Sequence, residues 1–238
     1  MLDVHPPHSR ISGFTEFFLH LFTITIGLLI ATQIEACVEW RHHLNSAAEA
    51  RASLRQEIEE NLKDLKDAQP GIQAWRKEVD KSLDIMRSIQ AHPQDMAAQR
   101  SVSFALKFQD IALRDTAWKT AQSTNALAYM PYDEAREYSA IYERQDAFLA
   151  EQKKPEDDLA EISALIARFN WHEQVPISAE QASQMAASLN EMRLHLLFLD
   201  MILRGCAEQD AAFLEKRKAS AAISEDFNSH ITAPGKSR

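Results

Sequence analysis

The chain carries few residues whose type and spacing suit chemistry. Glu39-Trp40-Arg41-His42 has the Glu-x-x-His spacing that four-helix di-iron sites use. Such a site needs two copies and further carboxylates, and no second copy follows. His42 and His43 fit better as interfacial side chains beside phosphate headgroups. Glu191 and His195 stand four apart on a helical pattern, which predicts a surface pair. Cys206 has no base near it in sequence, so it makes a poor candidate nucleophile. Thr116, Thr120, Ser123 and Thr124 are either the lining of a polar pocket beside Trp118 or ordinary helix-surface hydroxyls, and the second reading is preferred. No H-E-x-x-H, phosphate loop, G-x-S-x-G or C-x-x-C occurs. The sequence thus predicts no catalytic residue, no cofactor and no metal, and the expectation is that the protein is not an enzyme.

The element that organises the rest is Phe14 to Val38, FTEFFLHLFTITIGLLIATQIEACV. A helix rises ~1.5 Å per residue, so a hydrocarbon core of ~30 Å needs about 20 apolar residues. No other run is both apolar and long enough. Gln33 and Glu35 fall near one interface, with Trp40 at headgroup depth, where Trp is favoured. A buried core helix and a cleaved signal peptide are weaker alternatives. The region before the run is only weakly basic, and no A-x-A site follows it. Ile34-Glu35-Ala36-Cys37 resembles a degenerate bacterial lipobox, although Glu35 is atypical there.

Glu16, His20, Thr23, Gly27, Ala31 and Glu35 follow at spacings of 4, 3, 4, 4 and 4, so they share one stripe of the span. Small residues let another backbone approach, and Thr23 and His20 can bond across helices. An ionisable group inside a span marks function by default. The stripe is a candidate helix–helix interface, for a homodimer or for a partner span. Its bland alternative is that His20 snorkels and Gly27 is incidental. Arg41, Arg51 and Arg55 after the span outnumber Arg10 before it, which favours a cytoplasmic C-terminal domain over a periplasmic one.

Composition sets the outer limits. Of 238 residues, roughly 200 follow the span, enough for one domain with a sizeable core. A net charge of −9 argues against nucleic acid as a partner. The two cysteines, Cys37 and Cys206, are too far apart in context to predict a disulfide. Low glycine and proline counts suit an all-α chain.

In order, residues 1–13 read as a disordered tail, 14–38 as the span, 39–219 as an α-helical bundle domain and 220–238 as a second disordered tail. The span continues without a breaker to Gln69. Leu44, Ala47, Arg51, Leu54, Ile58, Asn61 and Leu65 form a seam there, a coiled coil in outline but better read as a face packed on later helices. Gln69-Pro70-Gly71 predicts a stop. A second helix follows from Ile72 to Ala91, and a short one over Val102 to Leu113. Asp115 is a candidate N-cap, and Trp118, Ala121 and Asn125 share a side of the helix it starts. Asn125 suits a left-handed helix end. Pro131 suits the first turn of a helix that carries Tyr138, Ile141, Tyr142, Phe148 and Leu149 inward. Pro155 predicts another boundary. Asn170 to Pro176, with Trp171 and His172, reads as a loop, and Ser178 to Gln181 has the capping-box form. Met185, Leu189, Met192, Leu196, Leu199, Leu203 and Cys206 trace a long last helix. The fold expected is a span running into an antiparallel bundle of five or six helices.

LFTITIGLLIATQIEACVEWRHH followed by EARASLRQEIEENLKDL resembles the opening of uncharacterised bacterial proteins with one N-terminal span and a long charged helix. LRDTAWKTAQSTNALAYM, with Tyr142 downstream, resembles their second shared block. Those proteins commonly show Gly where Asn125 stands. The resemblance covers under half of the chain. It implies topology and helical content, and it brings no activity or catalytic residue; the location expected for such a chain is the bacterial inner membrane. The reading these features support is a membrane-anchored interaction or scaffold protein that self-associates or binds a membrane partner. The alternative is a ligand-binding sensory bundle, with Trp118, Asn125, Tyr138 and Tyr142 as a structural block or pocket.

Overall fold

The computed structural model describes residues 13–102, 104, 110–170 and 176–232, and of those it leaves aside the side chains of Thr15 and of 221–232. Among the described residues the chain is all-helical, without strands. The elements are α1 (Thr15–Ala91), α2 (Met96–Arg100), α3 (Thr116–Ser123), a 3₁₀ turn (Ala126–Tyr129), α4 (Tyr132–Arg168) and α5 (Ala179–Thr232). The chain divides into two compact units, residues 1–49 and 50–238.

In the first unit the early part of α1 is apolar and exposed. Phe14, Phe17, Phe18, Leu19, Phe22, Ile24, Leu28, Leu29 and Ile34 all present large side chains outward. The helix is long and apolar enough to cross a membrane, and none of its most apolar stretch is buried. Three hydroxyls on it bond inside the helix. Thr23 Oγ1 donates to the Leu19 carbonyl (2.8 Å), Thr25 Oγ1 to Leu21 (2.8 Å) and Thr32 Oγ1 to Leu29 (3.0 Å). A hydroxyl so bonded carries little desolvation cost into an apolar medium.

In the second unit three long helices supply the core. Leu65, Ile72, Val79, Leu83, Met86 and Ile89 of α1 meet Phe148, Ile162, Leu165 and Ile166 of α4 and Met185, Leu189, Met192, Leu196, Leu199 and Leu203 of α5. Pairs between α1 and α4 keep a near-constant offset: Arg51 with Glu134, Glu57 with Tyr142, Asn61 with Gln145. Those two stretches are therefore parallel. Pairs with α5 run the other way, Arg76 to Asp200 and Asp80 to Arg193, so α5 is antiparallel to both. The chain between α1 and α4 must return along their length, and residues 110–118 do so.

The two proline breaks expected do not occur. Pro70 lies inside α1 and Pro155 inside α4. An interior proline removes one helical hydrogen bond and costs ~3 kcal/mol. The buried stripe of α1 passes through the site in register, Leu65, Ala68, Ile72 and Val79, and that of α4 likewise through Phe148, Gln152, Pro155 and Ile162. Burying a single Leu or Ile contributes roughly 1.5–3 kcal/mol, so several on each side outweigh the loss. The helix expected over Val102 to Leu113 is absent from its described residues, since Val102, Phe104 and Asp110 to Leu113 are not helical. Residues 103 and 105–109 of that stretch lie outside the described residues. A five-residue helix stands before it, begun by Asp95, whose Oδ1 accepts the Ala97 and Ala98 N–H groups at 2.9 and 3.3 Å.

Ser178 and Gln181 form the expected reciprocal cap: Gln181 N–H to Ser178 Oγ at 3.1 Å, Ser178 N–H to Gln181 Oε1 at 2.9 Å. Asn125 has φ 58°, the left-handed turn its type suits. Pro131 sits one position before α4 rather than in its first turn. Where composition predicts a disordered tail from residue 220, α5 continues as helix to Thr232. Residues 1–12, Trp171 to Val175 and 233–238 lie outside the described residues, and with them most of the expected loop at Asn170 to Pro176.

Candidate functional site

The six residues of the span stripe, Glu16, His20, Thr23, Gly27, Ala31 and Glu35, all lie on α1 and are all exposed. A Cβ built on Gly27 would meet nothing within 4 Å, so the surface there is open. Beyond the stripe, Glu39 pairs with His43 Nε2 at 3.6 Å, one residue past the Glu-x-x-His spacing. Among the described residues no group of three or more His, Cys, Asp or Glu is placed to hold a metal ion.

The block around Trp118 is densely bonded. Trp118 lies flat on Tyr142, ring centres 5.1 Å apart and planes 12° apart. The Tyr142 hydroxyl donates to Glu57 Oε1 at 2.7 Å. Burial, and then that bond to a carboxylate, hold the phenol well above its ordinary range. The same carboxylate accepts the N–H groups that open α3, Ala117 at 2.8 Å and Trp118 at 3.4 Å. Helix N-termini leave such donors unpaired and favour negative charge. Glu57 of α1 therefore caps α3, and Asp115, the expected cap, does not. The Asp115 carboxylate pairs with Lys119 at 2.6 Å instead. Tyr138 meets Phe213 edge to face at 5.1 Å, with the Arg217 guanidinium over both rings.

Beneath the block runs a chain of buried amides. Asn61 holds the backbone of Arg114 at both ends, accepting its N–H and donating to its carbonyl, each at 2.8 Å. Its Nδ2 also donates to Gln145 Oε1 at 2.9 Å. Gln145 Nε2 donates to Asp210 Oδ2 at 2.9 Å. Burial raises Asp210 to about 7, against the opposing effects of Gln145 and of nearby Arg144. Gln152 grips Ile111 as Asn61 grips Arg114, with its N–H at 3.0 Å and its carbonyl at 3.3 Å. Gln99 does the same to Ile177, 2.9 Å each way. Three amides thus stand in for a strand partner along chain that has no secondary structure of its own. Glu134 is held by both Arg51, at 3.0 and 3.1 Å, and Arg217, at 3.3 Å.

Thr120 and Thr124 donate to carbonyls of their own helix at 2.8 and 2.9 Å, and Ser123 does so at 3.0 Å, so three of the four hydroxyls are bonded along the α3 surface. Cys206 is buried, its thiol pushed up to about 12 by burial and then by Asp210. A thiol so held is almost wholly protonated at neutral pH and a weak nucleophile. His195 does not pair with Glu191. Its Nδ1 lies 2.7 Å from Asp158 Oδ2 across the α4–α5 contact. Burial raises Asp158 from its ordinary value, and His195 opposes that rise. The crevice edged by Val79, Leu159, Ile162, Leu189 and Met192 measures about 10 Å³, room for at most one water.

Trp118, Tyr138, Tyr142 and Asn125 all belong to the region around α3 and α4, and Trp118 and Tyr142 touch directly. What sequence reasoning missed are Glu57, Gln99, Gln145, Gln152 and Asp210. The signal available was a polar residue recurring on an apolar stripe, which singled out Arg51 and Asn61 but was not followed into the later helices. No family model matches the chain, nor does any curated protein or solved structure.

Proposed function

We propose that this chain is a single-pass, membrane-anchored scaffold whose helical bundle self-associates or binds a membrane partner. The observation that carries this reading is a contrast in exposure. An apolar helix long enough to cross a bilayer keeps its large side chains outside. Meanwhile Glu57, Asn61, Gln145 and Gln152, buried in the second unit, are tied up holding backbone and one another. A unit built this way has a shape to present and little reactive apparatus. Within the membrane, the stripe Glu16, His20, Thr23, Gly27, Ala31 and Glu35 is the docking face, because its small residues admit a second backbone. The helical domain stands in the cytoplasm of a bacterial inner-membrane protein, as the arginines after the span favour.

The test is association in a membrane two-hybrid assay. Substituting Gly27→Leu together with Ala31→Leu should lower the signal several-fold. An unchanged signal removes the stripe as the contact. Alkaline phosphatase and a fluorescent protein, fused separately to Arg238, decide the side: fluorescence without phosphatase activity is the expected result, and phosphatase activity alone overturns the cytoplasmic placement.

A further inference from the structure

The outward face of α5 carries an apolar stripe that none of the described residues covers. Leu194, Leu197, Phe198 and Met201 are 49%, 47%, 42% and 56% exposed, while Leu196 and Leu199 between them and Leu203 just after are buried. Their spacing, i, i+3, i+4 and i+7, is that of one helix face. Among the described side chains of residues 50–238 the other exposed large apolar ones, Met96 and Tyr132, stand apart from it in sequence. Contiguous apolar surface of this kind marks an interaction site more often than scattered exposure does.

The charges at its two ends identify the occupant. Glu191 lies one turn before Leu194 and Arg204 one turn after Met201, both exposed. Laid antiparallel against a second α5 about a two-fold axis between Leu197 and Phe198, the stripe matches itself. Leu194 faces Met201, Leu197 faces Phe198, and Glu191 faces Arg204, each twice. Isologous contacts require this self-complementarity. Laid parallel in register, Glu191 would face Glu191 and Arg204 would face Arg204, which repel. Arg204 directs two of its five N–H donors at Asp200 and keeps half of its side chain exposed, so it can reach a second carboxylate.

We propose that this face of α5 is a homotypic contact, pairing two copies of the chain antiparallel. The proposal rests on the self-associating reading above and names its partner as a second copy. It is a separate contact from the span stripe. Because α5 runs antiparallel to α1 in this unit, the two-fold places the residue-50 ends of the two copies at opposite ends of the pair, so two copies joined through α5 do not also join through the span stripe.

The test uses the full chain in detergent micelles, with Cys37→Ser to remove the exposed thiol. One preparation carries Leu194→Cys and a second, differently tagged, carries Met201→Cys. Mixed and mildly oxidised, they should yield the cross-tagged disulfide dimer and little of either same-tag dimer. Glu191→Arg should cut that yield on the order of tenfold. Same-tag dimers in excess would overturn the antiparallel two-fold. A dimeric mass by light scattering without any of these disulfides would overturn the α5 contact and leave self-association standing through the span. A monomer at all concentrations would overturn both.

Discussion

Two regions of this molecule put polar groups into apolar surroundings, and they do so in opposite ways. On the early part of α1 the hydroxyls of Thr23, Thr25 and Thr32 donate to carbonyls three or four residues back. In the second unit Asn61, Gln145 and Gln152 reach partners 41 to 84 positions away. The first arrangement needs only the helix itself. The second exists only when the helices and the returning strand of chain are assembled. Local bonds suit a helix that must be complete before it meets anything else, as in lipid. Distant bonds make each polar group a condition on the whole fold.

The largest effect should come from breaking a distant bond at its most connected point. Asn61→Ala strips three hydrogen bonds and leaves the Arg114 N–H and carbonyl and the buried Gln145 Oε1 without the partner each had. Each orphaned group costs ~1–3 kcal/mol, so a loss of about 3–5 kcal/mol is expected. For a domain of this size that lowers the melting temperature by on the order of 10 °C, readable by circular dichroism. A change under 2 °C would mean the grip is incidental.

Asp210 sharpens the same contrast through pH. Its folded value of about 7 lies above the ordinary carboxylate value of 3.8. The folded state therefore binds the proton more tightly than the unfolded state. Stability from this group is full below about pH 4, declines as pH rises towards 7 and is level beyond. Asp158, also raised, acts in the same direction. Asp210→Asn keeps an acceptor for Gln145 and removes the charge, so it should flatten the melting temperature between pH 5 and 8. At pH 8 it should stabilise the domain by a few kcal/mol. An unaltered pH profile would place the proton elsewhere.

The smallest effect belongs to the local bonds. Thr23→Val removes a hydroxyl that bonds, among the described residues, to its own helix, and the expected change in helix content or melting in micelles is within about 0.5 kcal/mol. A larger loss would show that Thr23 has a partner outside its helix.

Much of this was legible from residue types because the causes are local. The exposed apolar helix is visible as a long apolar run, Leu54, Ile58 and Leu65 as a 3,4 seam, the Ser178 cap as a four-residue pattern, and Asn125 as a residue that tolerates positive φ. What was not legible has distant causes. Pro70 and Pro155 look like breaks until the core on both sides of each is counted. Asp115 looks like a cap until Glu57, about 60 positions earlier, takes the N–H groups it would have held. Glu191 and His195 have the right spacing, yet a solvated i,i+4 pair is worth only ~0.3–0.5 kcal/mol and yields to the closer contact with Asp158.

The amide grips have a consequence for how such a chain can change over generations. Asn61, Gln152 and Gln99 hold Arg114, Ile111 and Ile177 by their main-chain N–H and carbonyl groups, and any residue but proline offers both. The held positions are thus free to drift in identity as far as these bonds are concerned, and the holders are not. Variation would be generous along much of the connecting segment and scarce at three amides scattered through helices, where a scan for chemistry would have no reason to look.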